Sequence, residues 1–394
     1  MKKVLFTWEL GGNLGHISML FPLAERLIAQ GSKVSLTVPD LADIPEYMPQ
    51  DIDIFQAPRW SAKIIGLPEN SISYAEILAQ AGYLSTTGIS ALLRGWRSLF
   101  TALRPDLIVA ESSPTALLAA RSLEIPAVKL GNGFAIPPKQ TPFPPYIRVP
   151  GKRSHHLLQL EDRITKSVNA ALVSLGCQPV SSLTDIFSAS ETCLLTFPEL
   201  DHYPDRGQSE YHGAIFGLGT TQRMEWSGNA KYKVLAYLHA DSAMSRPIMQ
   251  SLEAMSAEAI ISCPGLQGLP EIANRYQNIQ LANQPVDLTR LLPECDLVIS
   301  HAGHGLAAQS LMAGVPLLTI PRVIEQWITS CNLQSIGAGE IIDKSFEPDK
   351  ISSVMEKMLS ASEHKLSAQR FAKRYADYSV SSIIDKIDNS IGGL

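Results

Sequence analysis

The sequence predicts an α/β protein of two Rossmann-like domains, each built on a parallel β-sheet. The chain has 394 residues, 45% of them hydrophobic, which is enough for two sizeable cores. Residues 2–38 read as strand, glycine-containing turn, helix and strand, which is the order of a βαβ unit. A second series of α/β elements begins at residues 233–237, so the pattern occurs twice along the chain.

The boundary between the two domains is expected near residue 218. Residues 213–229 contain Gly-Leu-Gly-Thr-Thr and Ser-Gly-Asn, and a stretch of this kind is typical of an interdomain connection. We therefore assign residues 1–218 to an N-terminal domain and residues 219–374 to a C-terminal domain.

The composition argues against several classes of protein. A formal net charge of -5, without a dense run of Lys or Arg, argues against a nucleic-acid partner. The five cysteines are odd in number and never form a CxxC pair, so they predict neither a disulfide framework nor a zinc site. The first apolar run is broken by Glu9 and by glycines, which is typical of a strand and not of a signal peptide. No segment approaches the roughly 18 uninterrupted apolar residues of a spanning helix. We expect a cytoplasmic protein, with peripheral membrane contact left open.

The most informative stretch runs from Asp296 to Gln326. Its residues 297–299 are typical of a buried parallel strand, and apolar residues recur at helical spacing after the glycine-containing turn 300–305. The first turn of such a helix has unpaired N–H groups and the positive end of the dipole, and both favour anions. The next predicted strand is followed by Glu325 and its neighbour, at the edge where open α/β sheets place their ligands. The stretch therefore predicts an anion site beside two side chains that can bind hydroxyl groups.

A dinucleotide site is the alternative that the first βαβ unit raises. Its turn contains Gly-Gly-Asn-Leu-Gly, which lacks the full GxGxxG pattern of NAD-binding turns. Asp40 lies further downstream than the acidic residue, about 20 positions on, that holds the ribose in such proteins. We expect neither NAD nor any other cofactor.

The informative stretch resembles the donor signature of nucleotide-sugar glycosyltransferases of the UDP-glucosyl/glucuronosyltransferase and macrolide-glycosyltransferase type. That signature reads HxGxG(S/T)xxExxxxGVPxxxxPxxx(D/E)Q. The residues that fall at the family spacing are His301, Gly303, Gly305, Gly314, Val315, Pro316, Pro321, Glu325 and Gln326. So many fixed positions at one spacing are far more specific than a lone glycine motif. The resemblance implies a GT-B fold, in which two Rossmann-like parallel-sheet domains face each other across a cleft that holds the active site.

The resemblance extends to two candidate catalytic residues. Gly15-His16 matches the GH that follows the first strand of the family, whose histidine takes the proton from the acceptor hydroxyl. A helix N-terminus favours neutral imidazole, the form that accepts a proton. Residues 105–128 resemble the family segment in which an Asp orients this base, and here the acid is Glu111, one methylene longer. From the residues alone, a polar turn residue that caps a helix is the preferred interpretation of His16. Glu111 is alternatively an acid that stabilises a helix N-terminus.

The resemblance also implies a set of donor-binding residues in the C-terminal domain. The His301 side chain and the amides of residues 303–306 would bind the diphosphate, and Gln309 would bind the ribose. Glu325 and Gln326 would bind hydroxyl groups of the sugar. Backbone near Val286 would meet the nucleobase. The predicted donor-binding residues are Val286, His301, Gly303, His304, Gly305, Gln309, Glu325 and Gln326. No metal ligand is expected.

Two positions depart from the family signature. Leu306 stands where relatives carry a Ser or Thr that points at phosphate. Gln309 stands where they carry Glu, so it keeps a hydrogen bond to a ribose but loses a charge, and charged hydrogen bonds are roughly twice as strong. An ordinary helix position is an equal alternative for Gln309.

Three further segments carry expectations of lower specificity. Residues 39–105 are rich in aromatic and apolar side chains and match the acceptor-binding region of the family, although such residues are more often simply core. Residues 199–205 gather acids and a histidine, but a proline-broken stretch without a second histidine predicts a solvated loop and not a metal site. A last helix at about 375–394 would pack back on the first domain, as in family members.

These features together imply an inverting, metal-independent hexosyltransferase. It would move a sugar from a UDP- or dTDP-sugar to a hydroxyl group of a small, apolar acceptor, in natural product or lipid glycosylation. The expected partners are the donor and the acceptor, and the protein would be a monomer or a dimer. Two alternatives on the same fold remain open, namely a nucleotide-sugar epimerase or hydrolase and a non-catalytic nucleotide-sugar-binding homologue.

Overall fold

The structure is a computed structural model that describes most of the chain. The described residues, apart from the side chains of 43 and 151–154, are 1–12, 15–44, 48, 52–62, 66–67, 71–147, 151–217, 222–228, 230–239, 244–255, 257–263, 275–342 and 350–394. The boundary predicted at 218/219 lies outside the described residues.

Within the described residues, the N-terminal part of the chain forms a six-stranded parallel sheet in the order β3-β2-β1-β4-β5-β6. The strands are β1 (Lys3–Trp8), β2 (Lys33–Val38), β3 (Asp53–Gln56), β4 (Leu107–Glu111), β5 (Ala127–Gly131) and β6 (Glu191–Leu194). All five residues of β4 are buried, which is expected for a central strand of a parallel sheet that helices cover on both faces. The strand order reverses between β1 and β4, which is the point where Rossmann folds bind ligands beyond the strand ends.

Helices connect these strands. They are α1 (Gly15–Ala29), α2 (Tyr74–Leu78), α3 (Thr86–Leu103), α4 (Pro114–Ser122) and α5 (Gly151–Ser174), with a π-helical turn at Ala79–Tyr83 and 3-10 turns at Leu41–Asp43, Leu183–Phe187 and Pro198–Leu200. Pro114 begins α4 at the position where a missing N–H costs nothing, and the buried face of α4 is almost entirely apolar.

The second part of the chain repeats the same topology, with a six-stranded parallel sheet in the order β12-β11-β10-β7-β8-β9 among the described residues. The strands are β7 (Lys233–Tyr237), β8 (Glu258–Ser262), β9 (Ile279–Ala282), β10 (Leu297–Ser300), β11 (Leu317–Thr319) and β12 (Gly339–Ile341). The helices of this part are α6 (Ser245–Ala254), α7 (Leu288–Leu291), α8 (His304–Met312), α9 (Ile324–Ser335), α10 (Ile351–Ser360) and α11 (Ser362–Arg374), with a 3-10 turn at Leu292–Glu294. Here the strand order reverses between β7 and β10.

The chain divides into two compact units, one of residues Met1–Gly219 and Ser379–Leu394 and the other of Thr220–Tyr378. The last helix, α12 (Val380–Gly392), therefore belongs to the first unit, and it packs against α1. Arg26 of α1 pairs with Asp385 and Asp388 of α12, and Lys2 donates a hydrogen bond to the carbonyl of Ile391. The isoleucines of α12 that recur every fourth residue, Ile383, Ile387 and Ile391, are buried.

The expectation of a solvated loop at residues 199–205 is wrong for its central part, although Pro204 and Asp205 are exposed. Asp201 and His202 are 5% and 0% exposed. The Arg206 guanidinium lies 2.5 and 2.8 Å from the two carboxylate oxygens of Asp201 and also donates to the Gly133 carbonyl. A buried, bidentate ion pair therefore folds this acidic segment inward.

The aromatic residues of the 39–105 region contribute mainly to the core. Tyr74, Tyr83, Trp96 and Phe100 are at most 2% exposed. For these four side chains, packing is the role that their environment supports. Among the described residues, no helix is both long and apolar enough to cross a membrane.

Candidate functional site

His16 and Glu111 meet where the strand order of the N-terminal sheet reverses. Glu111 is the last residue of β4, and His16 is the second residue of α1, the helix that follows β1. The register of the two central strands pairs Trp8 with Glu111, so both strands end at the same level. Because α1 follows β1 and α4 follows β4, a histidine and a carboxylate lie at the same edge of the sheet.

The two side chains are hydrogen-bonded. The Nδ1 atom of His16 lies 2.7 Å from Oε2 of Glu111, and the side chains are 18% and 2% exposed. The other carboxylate oxygen of Glu111 accepts a hydrogen bond from the Ser112 hydroxyl at 2.9 Å. Since a carboxylate accepts a proton donor, the pair fixes the Nδ1–H tautomer of His16 and leaves the lone pair on Nε2. A base oriented in this way by a buried carboxylate can accept a proton and hold the resulting positive charge.

The last residue of β1 and a glycine three residues further on lie against the imidazole ring. The indole ring of Trp8 is stacked on it, with centroids 4.7 Å apart and an interplanar angle of 23°. Gly11 has a positive φ of 93°, and a Cβ atom added to it would lie 2.5 Å from His16 Nε2. Glycine is therefore required at position 11 both for the backbone conformation and for the close approach to the ring.

A second buried carboxyl group lies one residue beyond Trp8. Glu9 accepts hydrogen bonds from the amide of Thr115, at 2.9 Å, and from its hydroxyl group, which also bonds to Tyr83. Burial raises the pKa of Glu9 to about 7, and the hydrogen bonds from Thr115 oppose that rise. Because Thr115 lies in the first turn of α4, Glu9 links the end of β1 to the helix that follows Glu111.

In the C-terminal unit, His301 occupies the corresponding point of strand reversal. Its Nδ1 atom lies 2.7 Å from the Ile320 carbonyl oxygen, and its Nε2 accepts the His239 amide proton at 3.1 Å. His239 follows β7, His301 follows β10 and Ile320 follows β11. The buried ring thus connects the ends of three neighbouring strands, and its two nitrogens are bonded to backbone.

The turn after His301 leads directly into α8. Ala302 has a positive φ of 60°, and its amide donates to the Ser300 hydroxyl at 3.1 Å. Gly303 is the N-cap of α8, which begins at the buried His304. A Cβ atom added to Gly303 would meet no atom of the described residues within 4 Å. The first-turn amides of α8, including that of Gly305, therefore lie at the helix end that favours an anion.

Two further predicted donor residues, Gln309 and Gln326, make hydrogen bonds to backbone four residues before them. Gln309 Nε2 lies 3.4 Å from the Gly305 carbonyl oxygen, one turn back along α8. Gln326 Oε1 accepts the Arg322 amide proton at 2.8 Å and so caps the start of α9. Glu325, in the first turn of α9, is half-buried.

Val286 is buried and forms an isolated parallel bridge with Gln222. The Pro285 carbonyl accepts a hydrogen bond from the Gln222 amide, and the Asp287 amide donates one to the Gln222 carbonyl. In a parallel bridge of this kind the N–H and C=O of the central residue point to the opposite side. The backbone polar groups of Val286 are therefore directed away from Gln222.

Sequence reasoning did not assign Trp8, Glu9 or His239 to the two candidate sites. The local pattern identifies Trp8 and Glu9 only as parts of the first strand and of its end, although the last residues of central parallel strands at a reversal point are a usable signal. His239 lies two residues after the end of β7, which is the same signal in the second unit.

Comparisons with known proteins define the class of the fold. The chain aligns with a calicheamicin glycosyltransferase structure over 99% of its own length and 98% of the other, with a TM-score of 0.72 and 15% identity. It aligns with the glycosyltransferase VinC in complex with DTDP over 98% and 100%, with a TM-score of 0.68 and 15% identity. The expected α/β fold of two Rossmann-like sheets, the GT-B fold, is confirmed.

Sequence comparisons identify the relatives within that class. Residues 246–386 match the family described as erythromycin biosynthesis protein CIII-like, C-terminal domain. The chain is 22% identical to the demethyllactenocin mycarosyltransferase of Streptomyces fradiae over 366 residues, which cover 88% of this chain and 77% of the relative. It is 24% identical to an uncharacterized glycosyltransferase of Methanosarcina acetivorans over 388 residues, or 94% and 91% of the two chains. The resemblance to nucleotide-sugar glycosyltransferases of the macrolide type is thereby confirmed, and these relatives are transferases.

Proposed function

We propose that the protein is an inverting glycosyltransferase that moves a sugar from a nucleoside diphosphate to a hydroxyl group of a small, apolar acceptor. The observation that carries the proposal is the 2.7 Å hydrogen bond between His16 and the buried Glu111 at the reversal point of the first sheet. A neutral imidazole oriented by a carboxylate is the group that a hydroxyl nucleophile needs.

The chemical step is a single displacement at the anomeric carbon of the sugar. His16 Nε2 takes the proton of the acceptor hydroxyl as its oxygen forms the new bond to that carbon. The bond between the carbon and the diphosphate oxygen breaks, and the nucleoside diphosphate leaves with its electron pair. Glu111 stabilises the imidazolium ion that results. Attack opposite the leaving group inverts the configuration of the sugar carbon.

The donor-binding part of the proposal rests on the C-terminal unit. The amides at the start of α8, from Gly303 to Leu306, would bind the diphosphate as its negative charge grows, and preorganised donors of this kind are commonly worth about 10²–10³ in rate each. His301 would support this binding by holding the ends of β7, β10 and β11 in register. We assign Glu325 and Gln326 to the sugar hydroxyls.

Two other donor residues complete the assignment. Gln309 would meet the ribose by leaving its weak contact with Gly305. The backbone of Val286, directed away from Gln222, would meet the nucleobase. A dTDP-sugar is supported by the DTDP bound to VinC and the thymidine diphosphate bound to SsfS6, another similar structure.

The acceptor class is proposed from the relatives. One acts on demethyllactenocin, by its name, and a structural neighbour, a spinosyn rhamnosyltransferase, is complexed with spinosyn aglycone. We propose a hydroxylated polyketide-like compound as the acceptor.

The test is a matrix of UDP- and dTDP-sugars against hydroxylated apolar compounds, with products read by mass spectrometry. We expect a mass increase of one sugar unit in the acceptor. His16→Ala should abolish this product, while the affinity for the nucleoside diphosphate, measured by calorimetry, should stay nearly unchanged. His212→Ala, which removes a half-buried histidine of the same unit, is the matched control and should retain activity.

The outcomes separate this function from its alternatives. Unchanged turnover in His16→Ala would rule out the assignment of the base. Release of free nucleoside diphosphate without a glycosylated acceptor would favour a nucleotide-sugar hydrolase or epimerase. Tight nucleotide binding without turnover of any donor would favour a binding-only homologue.

A further inference from the structure

We propose that Trp8 is a positioning residue for His16, holding the imidazole in line with Glu111 and stabilising the imidazolium ion that proton transfer creates. This inference rests on the proposed role of His16 as the base. It assigns a function to an aromatic side chain that the donor and base motifs leave unused.

The first support is the geometry of the two rings. Their centroids are 4.7 Å apart and their planes differ by 23°, so the indole face covers one face of the imidazole. Trp8 is 1% exposed, so the contact is shielded from water on the indole side. Trp8 and Glu111 are register partners in adjacent parallel strands, and register partners project to the same face of a sheet. The ring of His16 is thus held by a carboxylate at its edge and an indole on its face.

The second support is the way that the indole itself is fixed. The Trp8 Nε1–H group donates a hydrogen bond to the Leu10 carbonyl at 2.8 Å. The Leu10 amide in turn donates to the Ser112 carbonyl at 3.0 Å, directly after Glu111. The indole is therefore anchored to the same backbone that carries the acid. Rotation of Trp8 would break this bond, so the ring provides a rigid surface for His16.

The third support is electrostatic. The face of an indole ring carries negative charge density and attracts a cation, and tryptophan is the most effective aromatic residue in this role. Neutral imidazole gains little from that field, whereas imidazolium gains more. Because His16 becomes charged only when it has taken the acceptor proton, the stabilisation is larger in the transition state than in the ground state. Trp8 would therefore affect kcat and not donor affinity.

Other titratable groups near the pair must be separated from this effect. Among the described residues they are Glu111, which is bonded to His16, and Glu9, whose pKa burial raises to about 7. Tyr74, whose pKa burial raises well above its usual value, is close enough to interact with both carboxyl groups. A change at Trp8 could alter the ionisation of Glu9, so Glu9→Gln provides a background from which that ionisation is absent.

The experiment is an NMR titration of the His16 imidazole in the full-length protein, with the resonance assigned by its loss in His16→Gln. The variants are Trp8→Leu and Trp8→Phe, each also combined with Glu9→Gln. We expect the midpoint of the His16 titration to fall by about 0.5–1 pH unit in Trp8→Leu and by less in Trp8→Phe. The acidic limb of the kcat/KM profile, which also reports the free protein, should shift by the same amount, and the donor Kd should not change. Trp96→Phe, in a fully buried tryptophan on α3, controls for loss of core packing.

The inference would be overturned if the titration midpoint of His16 in the Trp8 variants equals that of the native protein. This holds even if activity is reduced, because a loss of packing alone lowers activity without moving the titration. If Trp8→Leu does not fold, an unchanged midpoint in Trp8→Phe overturns it equally. A midpoint that falls without a matching shift in the kcat/KM profile would support the role of Trp8 and refute that of His16 as the base.

Discussion

Glu111 provides the sharpest test of the proposed catalytic pair, because its carboxylate is 2% exposed and bonded to His16 at 2.7 Å. In Glu111→Gln the amide keeps the size of the side chain but removes the charge that stabilises imidazolium. A hydrogen bond to a charged group contributes about 1.5–3 kcal/mol. If that contribution appears only when His16 is protonated, kcat should fall by about 10- to 150-fold.

The shorter acid is equally informative, because the family carries Asp at this position. The hydrogen bond between Glu111 and His16 already has an ordinary length in this protein. In Glu111→Asp the shorter side chain would move the carboxylate back by about 1.5 Å, to about 4 Å from His16 Nδ1. We expect Glu111→Asp to lose activity despite matching the family residue. A variant as active as the native enzyme would show that the backbone adjusts and that the present distance is not limiting.

The assay is product formation with a donor and acceptor pair found in the screen, together with calorimetry of nucleoside diphosphate binding. Both Glu111 variants should lower kcat and leave the nucleotide Kd unchanged. Glu161→Gln is the matched control, since Glu161 is also a buried carboxyl group of the first unit and accepts a hydrogen bond from the Phe143 amide. Native-like kcat in Glu111→Gln at neutral pH would refute the reasoning.

Two further predictions follow from other buried groups. His301→Ala should raise the Kd of UDP or dTDP by about 10-fold or more, because the variant loses two hydrogen bonds to backbone of about 1 kcal/mol each and loosens three strand ends. His364→Ala, in the same unit, is the control. An equal Kd in both variants would contradict the role of His301. Burial raises the pKa of Glu9 to about 7 from 4.5, so the folded state retains a proton that the unfolded chain releases. The free energy of unfolding should therefore decrease by up to about 3 kcal/mol as the pH rises from 4.5 to above 7. Urea unfolding at pH 5 and pH 8 should show a smaller difference in Glu9→Gln, and an undiminished difference would exclude Glu9 as its source.

Much of the fold could be predicted because a buried parallel strand can be recognised from a short stretch of the sequence alone. Residues 233–237 and 297–299 are short apolar runs, and the structure has strands at Lys233–Tyr237 and Leu297–Ser300. Such runs need no distant partner to be identified, since a strand covered on both faces must be apolar throughout. The spacing of His301, Gly303 and Glu325 similarly indicated the strand, turn and helix that carry them.

The features that could not be predicted depend on partners distant in sequence. The acidic segment at 199–205 gave no sign that its Asp201 is buried, because the Gly133 carbonyl that shares the Arg206 guanidinium lies about seventy residues away. The same holds for Glu9, whose hydrogen-bond partner Thr115 is in another strand-and-helix unit. Burial of a charged group is decided by such contacts and not by the local pattern.

The two units use the same topology to give a histidine two different chemical roles. In each sheet a histidine follows a central strand at the point of strand reversal. The Nδ1 atom of His16 faces a carboxylate, which favours positive charge on the ring. The Nδ1 atom of His301 faces a carbonyl, and its Nε2 accepts an amide proton, so protonation at Nε2 would break the bond to His239. A ring of the first kind can gain and lose a proton during turnover, whereas a ring of the second kind must stay neutral to keep the strand ends together. The partners of the ring nitrogens thus suit His16 to the proton transfer proposed for it and His301 to the proposed support of nucleotide binding.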